Sequence, residues 1–397
     1  MTTFVLYDDA AARSFEPFTL SRPAGELRAG AELTRTRWTR ALGVPCSGFV
    51  SGAHLTAFEE FDAPRAATRA LDPGVWLVNA RCAPALGASP VDRGTEVIRV
   101  GGRIAAVRLR ATIALAELAD GRRTLEPLAA GPDAAIAGWW IDEIWDLVGL
   151  LDAMLMADTL ALMPSVRTAD PLTVLGAHPV HVERGARIEP FVVADASAGP
   201  VLVRAGAQVQ AFTRLVGPCV IGEGATILGG RVSGCSIGPR SKICGEISAT
   251  IVIGHANKGH DGFVGHSVIG AWANLGAGTI TSNLKNSYGE VTLWTPSGVR
   301  GTGLQFLGAL IGDHAKLGIG TRLTTGCVVG TGANIFGTRM PPKAVPPFAW
   351  GDGEPWDTFD LERFLAVAER VMARRDAVLT AGARAQWRAA FAARWSP

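Results

Sequence analysis

The stretch VLVRAGAQVQAFTRLVGPCVIGEGATIL, residues 201–228, sets Val203, Val209, Leu215, Ile221 and Ile227 six residues apart. A period of six fits neither a helix, which repeats every 3.6 residues, nor a strand, which alternates every two. It does fit a coil with three short faces per turn, each face turning one aliphatic side chain inward and small residues making the corners. The spacing returns in Ile269 and Leu275, in the run Ile311, Leu317, Leu323, Val329 and Ile335, and in the pairs Val182/Ile188 and Ile237/Ile243. The expected fold here is a left-handed parallel β-helix of hexapeptide repeats, over residues 171–350. The 48 glycines, about twice the usual share, are scattered without a collagen period and so mark regular turns.

Upstream, FVLY reads as a strand, and a loop DDAAARSFEPFTLSRPAGELRAG leads into a helical ELTRTRWTRALG. GVWLVNARCAP reads as a buried strand, and EVIRVGGRIAAVRL as two strands around Gly101 and Gly102. Residues 1–140 are therefore expected to form a mixed α/β domain, and 141–170 a linking helix. A helical pattern of Leu361, Phe364, Leu365, Ala368 and Met372 assigns 351–397 to a C-terminal helical segment.

A formal charge of +2 supplies no field for nucleic acid or an anionic bilayer. The most apolar window, from Ile144, is broken by Asp146, Asp152 and Asp158 and reads as a helix outside the membrane. Six cysteines without a CxxC pair, and no secretory leader, lead to the expectation of reduced thiols in the cytoplasm.

The repeat breaks at HANKGHDGFVGH, residues 255–266, which holds three of the seven histidines. Counting back by six from Ile269 puts Phe263 inward and Asn257 at the next inward slot. A coil that gives up apolar filling for polar groups marks a functional site.

NKGHDGFVGH (257–266) and NLGAGTITSN (274–283), with SRPAGELR, WLVNARCAP, SNLKN, GDHAKLGIGT and PPFAWG elsewhere, resemble the bifunctional N-acetylglucosamine-1-phosphate uridyltransferase/glucosamine-1-phosphate N-acetyltransferase family, in a divergent bacterial branch. The resemblance implies a β-helix that transfers acetyl from acetyl-CoA to an amino-sugar phosphate, joined to an active or degenerate nucleotidyltransferase domain using Mg²⁺ and UTP or another NTP. It makes His260 the counterpart of the base, a role suited to an imidazole that titrates near neutrality. It places the backbone N–H of Ala277 at the oxyanion, Asn283 and Glu246 at the sugar, and Asn274 beside them in the substrate pocket. Lys242 and Lys258 are added as partners of the sugar phosphate. Two departures remove hydroxyls: Phe263 and Leu284 stand where the family has tyrosine. The prism faces and the resemblance together imply a homotrimer with shared sites.

The first strand lacks the Gly-x-Gly-Thr-Arg phosphate loop usual in nucleotidyltransferases. Arg13, Arg22 and Arg28 are the candidate phosphate contacts, Asp8 and Asp9 the candidate Mg²⁺ ligands, and Asn79 stands where the family places a Mg²⁺-binding aspartate. Two other readings compete. One is a non-catalytic sugar-nucleotide-binding scaffold. The other is a γ-carbonic-anhydrase-like metalloenzyme using His255 and His260, for which a third histidine is missing one coil earlier.

Overall fold

A computed structural model describes residues 2–88, 90–163 and 172–395 of the chain. The chain divides into two units, Met1–Ile144 with Val378–Ala393, and Trp145–Ala377 with the last four residues. The end of the expected linking helix, residues 164–170, lies outside the described residues; the part before it is helical over Leu151–Leu162.

In the first unit six strands form one sheet, in the order Cys46–Val50, Phe4–Tyr7, Trp76–Asn79, Arg103–Arg108, Val97–Val100 and Asp133–Ala135. Phe4–Tyr7 lies parallel to both neighbours, while Arg103–Arg108 runs antiparallel to both of its own. The second and third of these strands are buried along their whole length, so FVLY and WLVN read as continuous rather than alternating runs. The helix Thr34–Leu42 stops at Gly43, whose φ of 64° a glycine adopts without steric penalty. The last helix, Ala381–Ala393, belongs to this unit, where Gln386 Nε2 donates to the Ser21 carbonyl at 2.8 Å.

The second unit is a parallel β-solenoid, as the period of six requires. Along one face nine strands stack in register, aligning Val203, Ile221, Ile237, Val252, Ile269, Ile311, Val329 and Val345. A second column runs Val209, Ile227, Ile243 and, after a break, Leu275, Leu317 and Ile335. The third holds Leu215, Val232, Ile247 and Val264. All of these side chains are buried. Burying each contributes about 1.5–3 kcal/mol, so the columns carry most of the unit's stability.

One corner of the prism repeats a left-handed residue in successive turns: Arg240, His255, Trp272, His314, then Phe348 after a glycine turn. Left-handed backbone at such large side chains is unusual and needs compensation. Ring stacking supplies it, with centroids 4.4 Å apart for His255 and Trp272 and 6.0 Å for Trp272 and His314. The helix Leu361–Ala373, capped by Asp360 accepting from the Arg363 N–H, lays Phe364 against His314 and Phe348. Residues 284–308, where the repeat is suspended, form an antiparallel hairpin, Thr292–Thr295 with Gly298–Gly301. Its inner strand buries Leu293, and Lys343 Nζ donates to the Thr292 carbonyl, so the insertion folds back on its own coil.

Candidate active site

HANKGHDGFVGH makes one full turn of the solenoid. Its strands Asn257–Lys258 and Phe263–Gly265 separate three corners, which carry His255, His260 and His266 respectively. His255 and His260, the pair expected as metal ligands in the competing reading, thus stand at different corners. Among the described residues no group of three or more His, Cys, Asp or Glu side chains is placed to hold a metal.

The His260 corner is wider than the one before it because the earlier corner is two residues short of the usual six. Ile243 pairs with Lys258 and Ile247 with Val264, so four residues on one turn span the corner that takes six on the next. Beside that shorter corner the His260 side chain stands exposed, and its imidazole has no hydrogen-bond partner among the described residues. Gly262, at φ 137°, makes the return possible, since a Cβ there would collide with the Thr279 carbonyl oxygen.

The inward slots sit one residue later than a strict count of six predicts. Val264 points inward while Phe263 is half-exposed, and the other inward slot belongs to Lys258, not Asn257. The step from Val264 to Ile269 is five residues, which slides the count. Lys258 is only 1% exposed, and its ammonium donates to the carbonyls of His260 and Asp261. It is therefore not available to a sugar phosphate as expected: its charge faces the inside of the wide corner and ties the His260 loop down. Burial holds its pKa below the usual lysine range.

The Gly276-Ala277-Gly278 corner stacks directly on the His260 corner, with the Gly278 N–H donating to the Asp261 carbonyl at 3.0 Å. The Ala277 N–H donates to no group among the described residues. A free imidazole and a free amide thus share one corner of adjacent turns. Beyond it, Glu246 pairs in register with Phe263 and lies half-exposed, 3.7 Å from Arg231. Gly265 forms the floor, because a Cβ there would come within 2.6 Å of both the Asn283 amide and the Phe263 ring. At the far end Asn283 Nδ2 lies 2.8 Å from His266 Nδ1, and His266 stacks on Phe306. Desolvation lowers the His266 pKa and so favours the neutral ring, in which Nδ1 can accept from the amide. The sequence placed His266 in the polar cluster but gave it no role of its own; it occupies a left-handed corner at φ 48°.

Lys242 and Asn274 fall on the other side of the His260 corner, in one outward row with Asn257 between them. Asn257 Nδ2 donates to Asn274 Oδ1 at 2.9 Å, and Lys242 stands exposed. The structure therefore brings His260, Ala277, Glu246 and Asn283 to one corner and the face beyond it, and puts Lys242 and Asn274 on the adjoining face.

In the first unit the three expected phosphate arginines serve the loop itself. Arg13 donates to the carbonyls of Asp8, Leu118 and Ala119. Arg22 is buried against Glu60 at 2.9 Å, and Arg28 is buried and donates to the Ala31 carbonyl. Guanidinium groups committed to carbonyls and carboxylates in this way hold the loop in place of a glycine-rich turn.

The donor set does not fit a resident Mg²⁺ at Asp8 and Asp9. Both Asp9 oxygens are already taken, Oδ1 by the Ala12 N–H and Arg81 Nε at 2.9 Å, Oδ2 by Asn79 Nδ2 and Arg81 Nη2 at 2.8 Å. Desolvation opposes ionisation of Asp9, but the Arg81 contacts and the amide donors outweigh it and lower its pKa. Asp8 is wholly buried, accepts from Ser51 Oγ and the Ala24 N–H, and has its pKa pushed up to about 6 by desolvation. Mg²⁺ is held by one or two open carboxylates together with waters and phosphates, and here one carboxyl is enclosed and the other is paired with a guanidinium.

A cleft of about 320 Å³ opens beside Asp9 and Asn79, at the carboxyl ends of Phe4–Tyr7 and Trp76–Asn79. Arg81, Arg103, Arg122 and Arg123 line it, and Arg103 lies 3.8 Å over the Trp140 ring. A larger hollow, of about 730 Å³, lies at the opposite strand ends around residues 66–75 and is less basic, with Arg69 and Arg108 against Asp72. The carboxyl-end cleft is the better site, because ligands of parallel sheets sit there and its charge suits an anion. Its arginines were legible only as the strand end at Arg81 and the GRR at 121–123.

Residues 4–165 match the sequence model of the sugar nucleotidyl transferase family. The bifunctional protein GlmU of Jannaschia sp. (strain CCS1) is 38% identical over 118 residues, 28% of this chain and 25% of that protein. GlmU of Bartonella quintana (strain Toulouse) is 29% identical over 211 residues, 52% and 40% of the two chains. A bifunctional sugar-1-phosphate nucleotidylyltransferase/acetyltransferase of Sulfurisphaera tokodaii is 32% identical over 91 residues, 23% of each. The chain thus spans about a quarter to two fifths of the length of these relatives. Residues 4–165 are similar to the sugar nucleotidyl transferase family, and the chain is similar to proteins named as bifunctional, one of them a sugar-1-phosphate nucleotidylyltransferase/acetyltransferase.

Proposed function

We propose that the solenoid transfers acetyl from acetyl-CoA to the amine of an amino-sugar phosphate, with glucosamine-1-phosphate as the first acceptor to test. In this reading the first unit binds a nucleotide and a sugar-1-phosphate, as part of UDP-N-acetylglucosamine or related nucleotide-sugar synthesis in the cytoplasm. The single observation that carries it is the stacked corner where the His260 imidazole and the Ala277 amide are both free of partners.

The chemistry follows from these two groups. His260 accepts the proton lost as the amine nitrogen attacks the thioester carbonyl. The Ala277 N–H donates to the oxyanion of the tetrahedral intermediate, at a corner whose glycines let the main chain approach. Collapse of the intermediate breaks the C–S bond, and the imidazolium returns its proton to the departing thiolate. Asn283 and Glu246 contact the sugar, and Lys242 and Asn274 lie on the side from which a phosphate would enter. No step needs a metal.

A homotrimer is part of the same proposal. It is supported by flat faces and by Ile319, 81% exposed in the turn after Ala277, an apolar side chain beside the site that a second copy would cover. No described helix is long and apolar enough to cross a membrane.

Thiol release from acetyl-CoA with glucosamine-1-phosphate, wild type beside His260→Ala, tests the activity. The expected result is release that falls by about 10²–10⁴ in the variant. Equal release from both proteins, or none with any amino-sugar phosphate, overturns it.

A further inference from the structure

The cleft of the first unit carries an arrangement that the acetyltransferase reading leaves unused. We propose that it binds a nucleotide polyphosphate through its arginines without a divalent cation, the Arg81 guanidinium serving Asp9 as a built-in counter-ion. This rests on the reading of residues 4–165 as a nucleotide-binding domain.

Three observations carry it. First, the carboxylate that faces the cleft is saturated: Arg81 contacts both Asp9 oxygens, and Asn79 and the Ala12 N–H fill the remaining directions. Arg81 is itself fixed on its far side by Asp142 at 2.6 Å, so the guanidinium is a permanent part of the wall, with its side chain 11% exposed. A dication entering here would have to displace a guanidinium held by two carboxylates.

Second, the lining keeps positive charge after that pairing. Arg81 is balanced by Asp9 and Asp142, and Arg103 shares Asp142 at 2.8 Å while resting on Trp140. Arg122 and Arg123 remain, opposed within the lining by Glu126 alone. Arg123 reaches Glu117 only at 3.9 Å, and its Nε is buried without an acceptor. A buried donor with nothing to donate to is destabilising, and a phosphate oxygen would satisfy it.

Third, the loop that elsewhere would wrap phosphates with glycine amides is here pinned by Arg13, Arg22 and Arg28 to its own carbonyls and carboxylates. It has no free run of amides, so recognition of phosphate passes to side chains, whose natural partner is a polyanion.

Titration calorimetry of the full chain with UTP, once in EDTA and once in excess Mg²⁺, tests the proposal, with UMP as the low-charge control. The expected result is binding in EDTA at least as tight as in Mg²⁺, because the metal removes ligand charge that the arginines would meet. UMP should bind about tenfold or more weakly. The double variant Arg122→Gln/Arg123→Gln should weaken UTP at least about tenfold with unchanged thermal unfolding. Arg81→Gln, which leaves Asp9 uncompensated, should make binding depend on Mg²⁺. Binding by the unaltered chain only with Mg²⁺ overturns the built-in counter-ion and leaves the nucleotide reading standing. No binding in either buffer overturns both, and an Arg122/Arg123 variant that binds normally overturns the assignment of this cleft.

Discussion

Asn283 Nδ2 donates to His266 Nδ1 at 2.8 Å across seventeen residues of sequence, and this pair closes the far end of the face that begins at His260. The bond requires a neutral imidazole with its proton on Nε2, and burial of the ring favours that form. Folding thus lowers the His266 pKa, so between that value and about 6.5 the unfolded chain binds the extra proton. Stability should rise with pH through this window and be lost as pH falls through it. His266→Gln should flatten that part of the unfolding profile, measured by urea titration from pH 5 to 7. An unchanged slope in the variant would refute the assignment.

Lys258 acts on His260 through the backbone, as a positioning residue. Lys258→Met keeps the length of the side chain and its apolar stem while removing the ammonium that ties the His260 and Asp261 carbonyls. Replacing a buried charge with a hydrophobe of similar size is often neutral or stabilising. Thermal stability should therefore hold or rise while kcat falls about 10–100-fold, since a base displaced by about an ångström loses that much. A fall confined to KM, or no fall at all, would separate Lys258 from the reaction.

Glycines at the corner differ in what they tolerate. Gly262→Ala meets both a φ of 137° and the Thr279 carbonyl, whereas Gly278→Ala meets a φ of 68° with nothing closer than 3.8 Å. Denaturant midpoints should show Gly262→Ala losing about 2–4 kcal/mol and Gly278→Ala about 1. Equal losses would mean that the wide corner relaxes freely.

A second lysine gives a signal at higher pH. Lys316 is partly buried with its Nζ donating to the Trp272 carbonyl at 2.6 Å, and desolvation pushes its pKa down to about 7. Between about pH 7 and the ordinary lysine value near 10.4 the unfolded chain holds a proton that the folded chain has released. Stability should rise across that interval by up to about 1.4 kcal/mol per pH unit, and Lys316→Met should remove the rise. The test is the proton uptake on unfolding at pH 8.5 in the two proteins.

The prism was legible because its physics is one-dimensional: each inward aliphatic meets only the one above and below, and Val203, Ile221 and Ile311 repeat that rule on the page. The register of the functional turn was not legible, because corners change length. Counting six from Ile269 crosses a five-residue step, which is why Phe263 was read as inward and Lys258 as exposed. His260 and Ala277 could be paired by resemblance, but that both lack partners is a property of two stacked corners. In the first unit the limit was of another kind. An arginine in a loop has the same sequence context whether it binds its own carbonyls, as Arg13 does, or faces a cleft, as Arg122 does.

The difference in length between stacked corners has a consequence for how such a chain diversifies. Each turn of the solenoid bonds only to its immediate neighbours, so the two residues by which the Ile243–Ile247 corner falls short of the Lys258–Val264 corner leave the columns intact, from Ile243 below to Leu317 above. Insertions at this one position can lengthen, shorten or re-equip the loop while the rest of the prism keeps its register. The proposed chemistry is in this sense a replaceable fitting on a regular rod, and its acceptor preference could be altered by changes confined to a dozen residues.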